Sequence, residues 1–191
     1  MAKILAVYGT AHGQTKAIVE RLGKALGWFG HEVSIWQGDH LPFDYSLEEF
    51  DAFVLAGSVH FGRHQHYLRG FARRHATRLN HAPSAFVSVC GALAGSWPKG
   101  ENEARKYLER FIAETGWAPS ASRSMAGAIK YTCYRWPVRM IIRAVSARTG
   151  RPTDTSRDWD FTDWEGVDRF GAELADRFAG SIAGLEAPPR L

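Results

Sequence analysis

The sequence predicts an α/β domain built on a doubly wound parallel sheet. Short apolar runs alternate with helical patterns along the chain, an alternation that is typical of βαβ units. Runs such as Phe53-Val54-Leu55-Ala56 are continuously apolar, as in strands that helices cover on both faces. The chain of 191 residues is long enough for a single domain with one substantial core.

Five strands and four helices follow from these patterns. The strands are expected at residues 3–8, 32–37, 52–57, 84–90 and 124–130. The helices are expected at residues 14–28, 65–79, 101–114 and 164–178. Ligands of such sheets bind beyond the carboxyl ends of the strands, at the point where the strand order reverses. The domain is expected to occupy residues 1–180, and residues 181–191 are expected to form a disordered tail.

The segment between the fifth strand and residue 153 exceeds what a five-stranded fold needs. Pro137 suits the first turn of a helix, where its missing N–H is not required. Beyond it, four apolar residues at helical spacing share one face, and three arginines form a neighbouring stripe. The apolar residues are Val138, Ile141, Ile142 and Val145, and the arginines are Arg135, Arg139 and Arg143. A short strand-like stretch follows at residues 158–161.

Composition and charge limit the classes of function. No run of about 20 apolar residues predicts a transmembrane helix, and the N-terminus resembles a first strand rather than a signal peptide. Two cysteines form no disulfide framework, which favours a reducing cytoplasm. The net charge is uneven: −2 over residues 1–50, +5 over 51–100, +5 over 101–150 and −4 over 151–191. The cationic middle favours an anionic partner, namely nucleic acid, anionic lipid or a small polyacid.

The first strand runs directly into a small, hydroxyl-bearing turn that opens a helix. Such a turn directs backbone N–H groups and the positive end of the helix dipole toward one point, which suits a phosphate. The turn lacks the Gly-Lys-Ser/Thr of a Walker A loop, and Gly9 and Gly13 do not make a G-x-G-x-x-G loop. Because no lysine is present to offset a triphosphate, the neutral donors Thr10, Gln14 and Thr15 suit a single phosphate monoester.

Residues 8–15, Tyr-Gly-Thr-x-x-Gly-Gln-Thr, resemble the FMN phosphate loop of the flavodoxins. Segments 75–80, 83–86, 104–107, 131–136 and 162–165 resemble the bacterial menaquinone-dependent protoporphyrinogen oxidases, and the matches extend over roughly residues 3–178. The resemblance implies a flavodoxin-like sheet of order 2-1-3-4-5 with helices on both faces and one noncovalent FMN. It also implies an insertion, at about residues 131–153, that splits the last strand.

By this resemblance, FMN contacts three loops that follow the first, third and fourth strands. The phosphate loop comprises Thr10, Ala11, His12, Gly13, Gln14 and Thr15. The second loop comprises Ser58, Val59, His60, Phe61 and Gly62, with either His60 or Phe61 stacked on the flavin and Gly62 contacting N5. The third loop, whose backbone reads the pyrimidine edge, includes Cys90, Gly91, Ala92, Leu93 and Trp97. His12 stands where many flavodoxins carry threonine, so it either bonds to the phosphate or shields the site.

The third loop contains no acidic residue. Cationic surroundings would stabilise a reduced, anionic flavin, which suits a two-electron oxidase better than a low-potential electron carrier. The insertion has two interpretations: a packed excursion that covers the sheet edge, or a platform for substrate or an anionic membrane surface. In the second, Tyr131, Tyr134, Arg135, Trp136, Arg139 and Arg143 contact lipid or the propionates of a tetrapyrrole.

The resemblance implies dehydrogenation of protoporphyrinogen IX to protoporphyrin IX, in haem biosynthesis, with menaquinone or another quinone as acceptor. The location expected is the cytoplasm, peripherally at the inner face of the cell membrane. Two alternatives are a flavodoxin-like electron carrier or quinone reductase, and a non-enzymatic flavin-binding or membrane-adaptor module. His60 is the nearest candidate for a proton acceptor, with water and the flavin itself as alternatives.

Two further kinds of site are not expected. His60, His64 and His66 lack a third ligand at a suitable spacing, so no metal site is predicted. No recognisable nucleic-acid-binding module occurs, so nucleic acid is not an expected partner. The sequence does not determine the oligomeric state, and a homodimer is among the states compatible with it.

Overall fold

A computed structural model describes residues 1–186 of the chain. The strands are β1 (Lys3–Gly9), β2 (Glu32–Gln37), β3 (Ala52–His60), β4 (Arg63–His64), β5 (Ser84–Cys90), β6 (Ala121–Ala126), β7 (Ala128–Ile129) and β8 (Trp159–Asp160). The helices are α1 (Gln14–Trp28), α2 (His66–Arg74), α3 (Ala76–Asn80), α4 (Gly100–Thr115), α5 (Trp136–Arg148) and α6 (Trp164–Glu186).

Five parallel strands form the main sheet in the order β2-β1-β3-β5-β6. Counted without the two-residue β4, which pairs antiparallel with the end of β3, this is the predicted order 2-1-3-4-5. The pairing aligns Tyr8 with Ala56 and Ser58 with Val89, so the carboxyl ends of β1, β3 and β5 lie side by side. The α/β class and the strand order are therefore confirmed.

Helices cover both faces of the sheet, and each face has its own apolar core. On one face α1 and α6 bury Ile18, Leu22 and Phe178 against β1, β3 and β5. On the other face Phe86 stacks on Phe111 of α4, with ring centroids 4.1 Å apart. Burial from both sides explains why the central strands are almost continuously apolar.

The single helix predicted for residues 65–79 is wrong, because the chain forms two helices that meet at His75. His75 leaves helical geometry, with φ −107° and ψ 14°. Its Nε2 lies 2.8 Å from the Tyr45 hydroxyl, in the segment before β3. A tertiary contact, rather than a helix-breaking residue, accompanies the interruption.

The last strand begins earlier than predicted and ends earlier, at Ala126 rather than residue 130. The start was missed because β6 is an edge strand, and edge strands tolerate the polar residues of Ser122-Arg123-Ser124. The insertion does not split this strand into two parts of one sheet. Instead, β7 and β8 pair antiparallel as a separate ribbon, which brings the two ends of the insertion together.

Helix α6 continues to Glu186. Residues 181–186, which were predicted to be part of a disordered tail, are therefore helical, while residues 187–191 lie outside the described residues. Within residues 1–186, no helix combines the length and the apolar character needed to cross a bilayer.

Candidate functional site

A cavity of about 440 Å³ lies at the carboxyl ends of the central strands, beneath α5. This volume falls in the range of small-molecule sites, about 300–1,000 Å³. Thr10, His12, Ser58, Val59, His60, Phe61, Cys90 and Gly91 line it from the three predicted loops. Val89, Gly127, Ala128, Ile129, Tyr134, Val138, Ile142, Val145, Ser146 and Arg151 complete the wall.

The first loop opens α1 without a side-chain cap. Gly13 occupies the N-cap position with φ 83°, a left-handed conformation that favours glycine. The first intrahelical bond runs from the Ala17 N–H to the Gly13 carbonyl, so the amides of the preceding turn have no intrahelical acceptor. Thr15 adds a hydroxyl that is completely buried and has no hydrogen-bond partner among the described residues.

Two side chains of this loop form hydrogen bonds within the protein. The Thr10 hydroxyl accepts a hydrogen bond from the Gly13 N–H at 3.0 Å, which closes the turn. The Gln14 amide donates to Asp160 Oδ1 at 2.9 Å and to Thr162 Oγ1 at 2.8 Å. Gln14 therefore faces the end of the insertion, and of its groups only the backbone N–H is free to serve a phosphate.

The second loop is a tight hairpin between β3 and β4. Phe61 and Gly62 both have positive φ, 48° and 78°, as in a two-residue turn of type I′. Phe61 is strained in this conformation and 98% exposed. Arg110 of α4 holds the turn by donating to the Gly62 carbonyl at 3.1 Å.

Three aromatic rings from three segments meet inside the cavity. The His12 ring lies 5.5 Å from His60 and 4.9 Å from Tyr134, edge-to-face in both pairs. Burial lowers the pKa of His60, and the neighbouring His12 lowers it further. His60 is therefore a neutral imidazole at pH 7, the form that can accept a proton.

The third loop continues β5 as a single 3₁₀ turn at Gly91–Leu93. Burial raises the pKa of the Cys90 thiol, so this cysteine is uncharged and packs as a small apolar residue. Ala92, Leu93 and Trp97 pack around it with Tyr107, away from the cavity wall. Within this loop, Cys90 and the backbone at Gly91 line the cavity.

Helix α5 roofs the cavity with one face. Val138, Ile142 and Val145 line the cavity, as three of the four residues whose spacing predicted an apolar face. Ile141, the fourth, is 62% exposed. Periodicity identified the helix, but only the structure shows that its apolar residues are divided between the cavity and solvent.

Tyr131 anchors the insertion rather than contacting substrate or lipid. It is completely buried, and its hydroxyl lies 2.9 Å from both the Ser146 hydroxyl and the Pro152 carbonyl. This bonding removes Tyr131 from the predicted substrate or membrane surface. Tyr134, three residues later, lines the cavity.

The three arginines of the predicted stripe also differ in their exposure to solvent. Arg139 is half-buried and donates to the Tyr134 carbonyl at 3.1 Å. Arg135, Trp136 and Arg143 are exposed. Arg135 and Arg143 form no ion pair with a carboxylate within residues 1–182.

Arg151 was not predicted, and no motif around it could have indicated it. It follows α5 and is half-buried, and its Nε donates to the Ala94 carbonyl at 2.8 Å. It is the only arginine or lysine among the described residues of the cavity wall. The wall contains no aspartate or glutamate within the same part of the chain.

The histidines weighed as metal ligands do not converge. His64 is buried, with its Nε2 3.0 Å from the Ser88 hydroxyl, while His66 begins α2 and is exposed. In the described part of the chain, no three histidine, cysteine or carboxylate side chains are placed to hold a metal ion.

The residues present fit an FMN. The uncapped turn at Gly13 and the unpartnered Thr15 hydroxyl supply donors for one phosphate. An unsatisfied buried hydroxyl costs about 1–3 kcal/mol, a penalty that a phosphate acceptor would remove. The adjoining cavity is bordered by the aromatic side chains of the second loop and by the small residues of the third.

Comparisons with known proteins agree with this geometry. Residues 5–156 match the model of the flavodoxin domain family. The chain is 32% identical over 173 residues to the protoporphyrinogen IX dehydrogenase (quinone) of Escherichia coli K12, covering 91% of this chain and 94% of that protein. A second protoporphyrinogen IX dehydrogenase (quinone), from Leishmania major, is 28% identical over 192 residues, covering 98% of this chain and 78% of the relative.

Among solved structures, an archaeal flavodoxin superposes with a TM-score of 0.55 at 18% identity, covering 93% of this chain and 99% of the flavodoxin. The last comparison shows the shared fold, and the sequence matches show the family. The chain therefore belongs to the flavodoxin domain family, and within it to the protoporphyrinogen IX dehydrogenases that use quinone.

Proposed function

We propose that this protein binds one FMN and dehydrogenates protoporphyrinogen IX to protoporphyrin IX, with a quinone as electron acceptor. The observation that carries the proposal is a cavity in which Thr10 and His12 of the first loop, the second and third loops and the apolar face of α5 meet. A flavodoxin fold alone needs the loops, whereas the roof formed by α5 provides a wide apolar surface for a second, larger molecule.

Each part of the cavity has a distinct task in this proposal. The amides of Gln14 and Thr15 and the Thr15 hydroxyl hold the phosphate, and the backbone at Gly91, in the cavity wall, faces the flavin ring. When bound, FMN supplies a two-electron acceptor that passes electrons from the porphyrinogen to the quinone. The six-electron oxidation of one porphyrinogen then reduces three quinones.

The side chains at the mouth of the cavity orient the substrate and accept its protons. Val138, Ile142 and Val145 contact the apolar macrocycle and exclude water. We propose that His60, which is neutral because burial lowers its pKa, accepts a proton from the substrate. His12 packs edge-to-face against the His60 ring, and Tyr134 packs in the same way against His12.

The outer face of α5 supports binding to an anionic membrane surface. Trp136 is 73% exposed and Ile141 62% exposed, although both are large and apolar. Arg135 and Arg143 flank them without carboxylate partners in the described chain. We propose that this face rests on anionic lipid, at the cytoplasmic side of the cell membrane, where menaquinone or another membrane quinone reaches the cavity.

An anaerobic assay with purified holoprotein, protoporphyrinogen IX and menadione tests the activity. Protein that carries FMN should release fluorescent protoporphyrin only when menadione is present. Turnover of quinone with NADPH, and none with porphyrinogen, would overturn the proposal in favour of a quinone reductase. Protein that cannot be reconstituted with FMN would overturn the cofactor as well.

A matched pair of variants on α5 tests the placement of the substrate. Ile142→Asp puts a charge into the cavity wall, and we expect kcat/KM for the porphyrinogen to fall at least tenfold. Ala144→Asp puts the same charge on an exposed position of the same helix and should leave turnover near that of the wild type. Equal effects of the two substitutions would contradict a substrate site beneath α5.

A further inference from the structure

The side chain of Arg151 reaches the cavity wall from the segment that follows α5. It lies just after α5, where its backbone N–H donates to the Ser146 carbonyl at 2.9 Å. From there the side chain crosses to the third loop and donates from Nε to the Ala94 carbonyl at 2.8 Å. This bond orients the guanidinium and leaves its two Nη groups free to donate elsewhere.

Glycines in the third loop make room for this arginine. A Cβ at Gly95, whose φ of 78° already favours glycine, would lie 3.0 Å from Arg151 Cγ. A Cβ at Gly91 would lie 3.7 Å from Arg151 Nη1, in ordinary contact. The guanidinium is thus packed beside the backbone of Gly91, which faces the cavity.

The charge of Arg151 has no protein counter-charge in the described chain. None of the ion pairs in the described chain involves Arg151, although Arg151 is half-buried. The titratable groups around it are Cys90, Tyr107 and Tyr131. Thiols and phenols are ordinarily uncharged at neutral pH, so a partly desolvated cation faces a cavity with no acidic wall.

Desolvation makes a charge of this kind effective. In water the attraction between two unit charges is strongly screened, whereas at the lower effective dielectric of a half-buried site it is several times larger. A ligand that gains negative charge next to this guanidinium is therefore stabilised relative to its neutral form. Reduced FMN is such a ligand, because its ring system becomes anionic on the pyrimidine side near neutral pH.

We propose that Arg151 stabilises the anionic reduced form of FMN and thereby raises the midpoint potential of the bound cofactor. The inference rests on the FMN site of the proposed function. The sequence attributed the stabilisation of reduced flavin to cationic surroundings in general. The inference attributes it to one side chain, that of Arg151 at the end of the insertion. Arg151 is in this sense a residue that tunes the cofactor, distinct from those that hold its phosphate.

Two measurements on FMN-loaded protein test this role without substrate or quinone. The first is the two-electron midpoint potential, measured anaerobically against reference dyes. The second is the dissociation constant of sulfite, which adds to the flavin and leaves negative charge on the pyrimidine side, measured by bleaching of the visible absorption. Both respond to a positive charge at the flavin and not to a general loss of stability.

We expect Arg151→Gln to lower the midpoint potential by about 30 mV, which corresponds to a tenfold loss of preference for reduced over oxidised FMN. Sulfite binding should weaken by about tenfold. Arg151→Lys, which keeps the charge, should retain most of both properties. Arg148→Gln is the matched control, because Arg148 is an exposed arginine three positions earlier and should behave as the wild type.

An unchanged potential and sulfite affinity in Arg151→Gln would overturn the inference. Equal losses in Arg151→Lys and Arg151→Gln would also overturn it, because they would indicate packing rather than charge. A raised KM for porphyrinogen with an unchanged potential would assign Arg151 to the carboxylates of the substrate instead. If Arg151→Gln fails to retain FMN, Arg151→Met, which keeps the aliphatic stem, takes its place in both measurements.

The outcomes are separable from those of the proposed function. A wild-type protein that lacks porphyrinogen turnover, but whose potential depends on Arg151, would contradict the proposed activity alone. A protein with full turnover and no dependence of the potential on Arg151 would contradict this inference alone.

Discussion

The side-chain amide of Gln14 donates to the carboxylate of Asp160 at 2.9 Å, across 146 positions of sequence. It joins the first turn of α1, which faces the proposed phosphate site, to β8, the strand that ends the insertion. The start of α1 and the end of the insertion are thus connected by a polar contact. Thr162 strengthens the connection by accepting from the same amide at 2.8 Å.

This contact predicts a loss of stability in acid. Burial by itself raises the pKa of Asp160, but hydrogen bonds from Thr162, Gln14 and Trp164 outweigh it and hold the pKa below its ordinary value. A carboxylate whose pKa is lower in the folded state contributes stability above its unfolded pKa, near 4, and loses that contribution as the pH falls through the folded value. The thermal midpoint of the wild type should therefore drop more between pH 5 and pH 3 than that of Asp160→Asn.

Circular dichroism melts at several pH values provide the measurement. Asp44→Asn serves as the control, because Asp44 is an exposed carboxylate without a hydrogen bond or ion pair in the described chain. Parallel pH profiles for the wild type and Asp160→Asn would show that this carboxylate does not stabilise the fold.

The buried Thr15 hydroxyl predicts that the Thr15→Val substitution lowers the affinity for FMN but not the affinity for riboflavin. Thr15→Val removes an unsatisfied hydroxyl, so the stability of the flavin-free protein should stay constant or rise by about 1 kcal/mol. The affinity for FMN should fall by about tenfold, because a donor to the phosphate is lost. Riboflavin has no phosphate and should bind both proteins equally, as measured by quenching of flavin fluorescence. Equal weakening of FMN and riboflavin would argue against a phosphate contact at Thr15.

His64 predicts a second pH effect, at higher pH. Burial lowers the pKa of His64 to about 3, with Arg69 adding to the effect, whereas an unfolded histidine titrates near 6.5. Between these values the unfolded state binds the extra proton, so this residue makes the protein less stable as the pH falls. From pH 7 to pH 5 the contribution is roughly 2 kcal/mol.

Urea unfolding of the wild type and His64→Gln at pH 7 and pH 5 checks this value. A glutamine side chain cannot titrate, so the variant should lose about 2 kcal/mol less than the wild type over this interval. Comparison within each protein removes the constant cost of the lost bond to Ser88, which lies 3.0 Å from His64 Nε2. An identical pH dependence in the two proteins would mean that folding does not lower the pKa of His64.

Two exposed tryptophans provide a matched test of the membrane surface. Trp136 opens α5 and is 73% exposed, while Trp28 ends α1 and is 89% exposed. Because α1 starts at the phosphate loop and is about 22 Å long, Trp28 lies at the opposite edge of the sheet. Trp136→Ala should weaken binding to anionic vesicles about tenfold in sedimentation, and Trp28→Ala should not. Equal binding by both variants, or no dependence on salt, would contradict an electrostatically assisted docking of α5.

The elements that depend on local periodicity were predictable. The bounds of α1, β2 and β5 agree residue by residue with those expected from the sequence. The phosphate loop, the hairpin at Phe61 and the turn after Cys90 were also identifiable, because each directly follows an apolar strand. Their meeting in one cavity follows from parallel strands, whose carboxyl ends lie at one edge of the sheet.

The roles of individual side chains were less predictable. Tyr131 and Tyr134 have the same side chain. The Tyr131 hydroxyl is nevertheless hydrogen-bonded to Ser146, whereas Tyr134 faces the cavity. Gln14 was expected at the phosphate, and its amide instead binds Asp160. In each case the deciding partner lies on a distant segment, which spacing along the chain does not reveal.

By itself, the sequence determined the class of fold, the strand order through its family resemblance, and the three loops at the ligand edge of the sheet. Those properties follow from the alternation of apolar residues and from turns next to them, which are local. Only the tertiary structure decided that α5 roofs the cavity, that its apolar residues divide between cavity and solvent, and that Arg151 reaches the third loop. These arrangements depend on how a long connection packs back on the sheet, and packing is set by contacts between segments far apart in the chain.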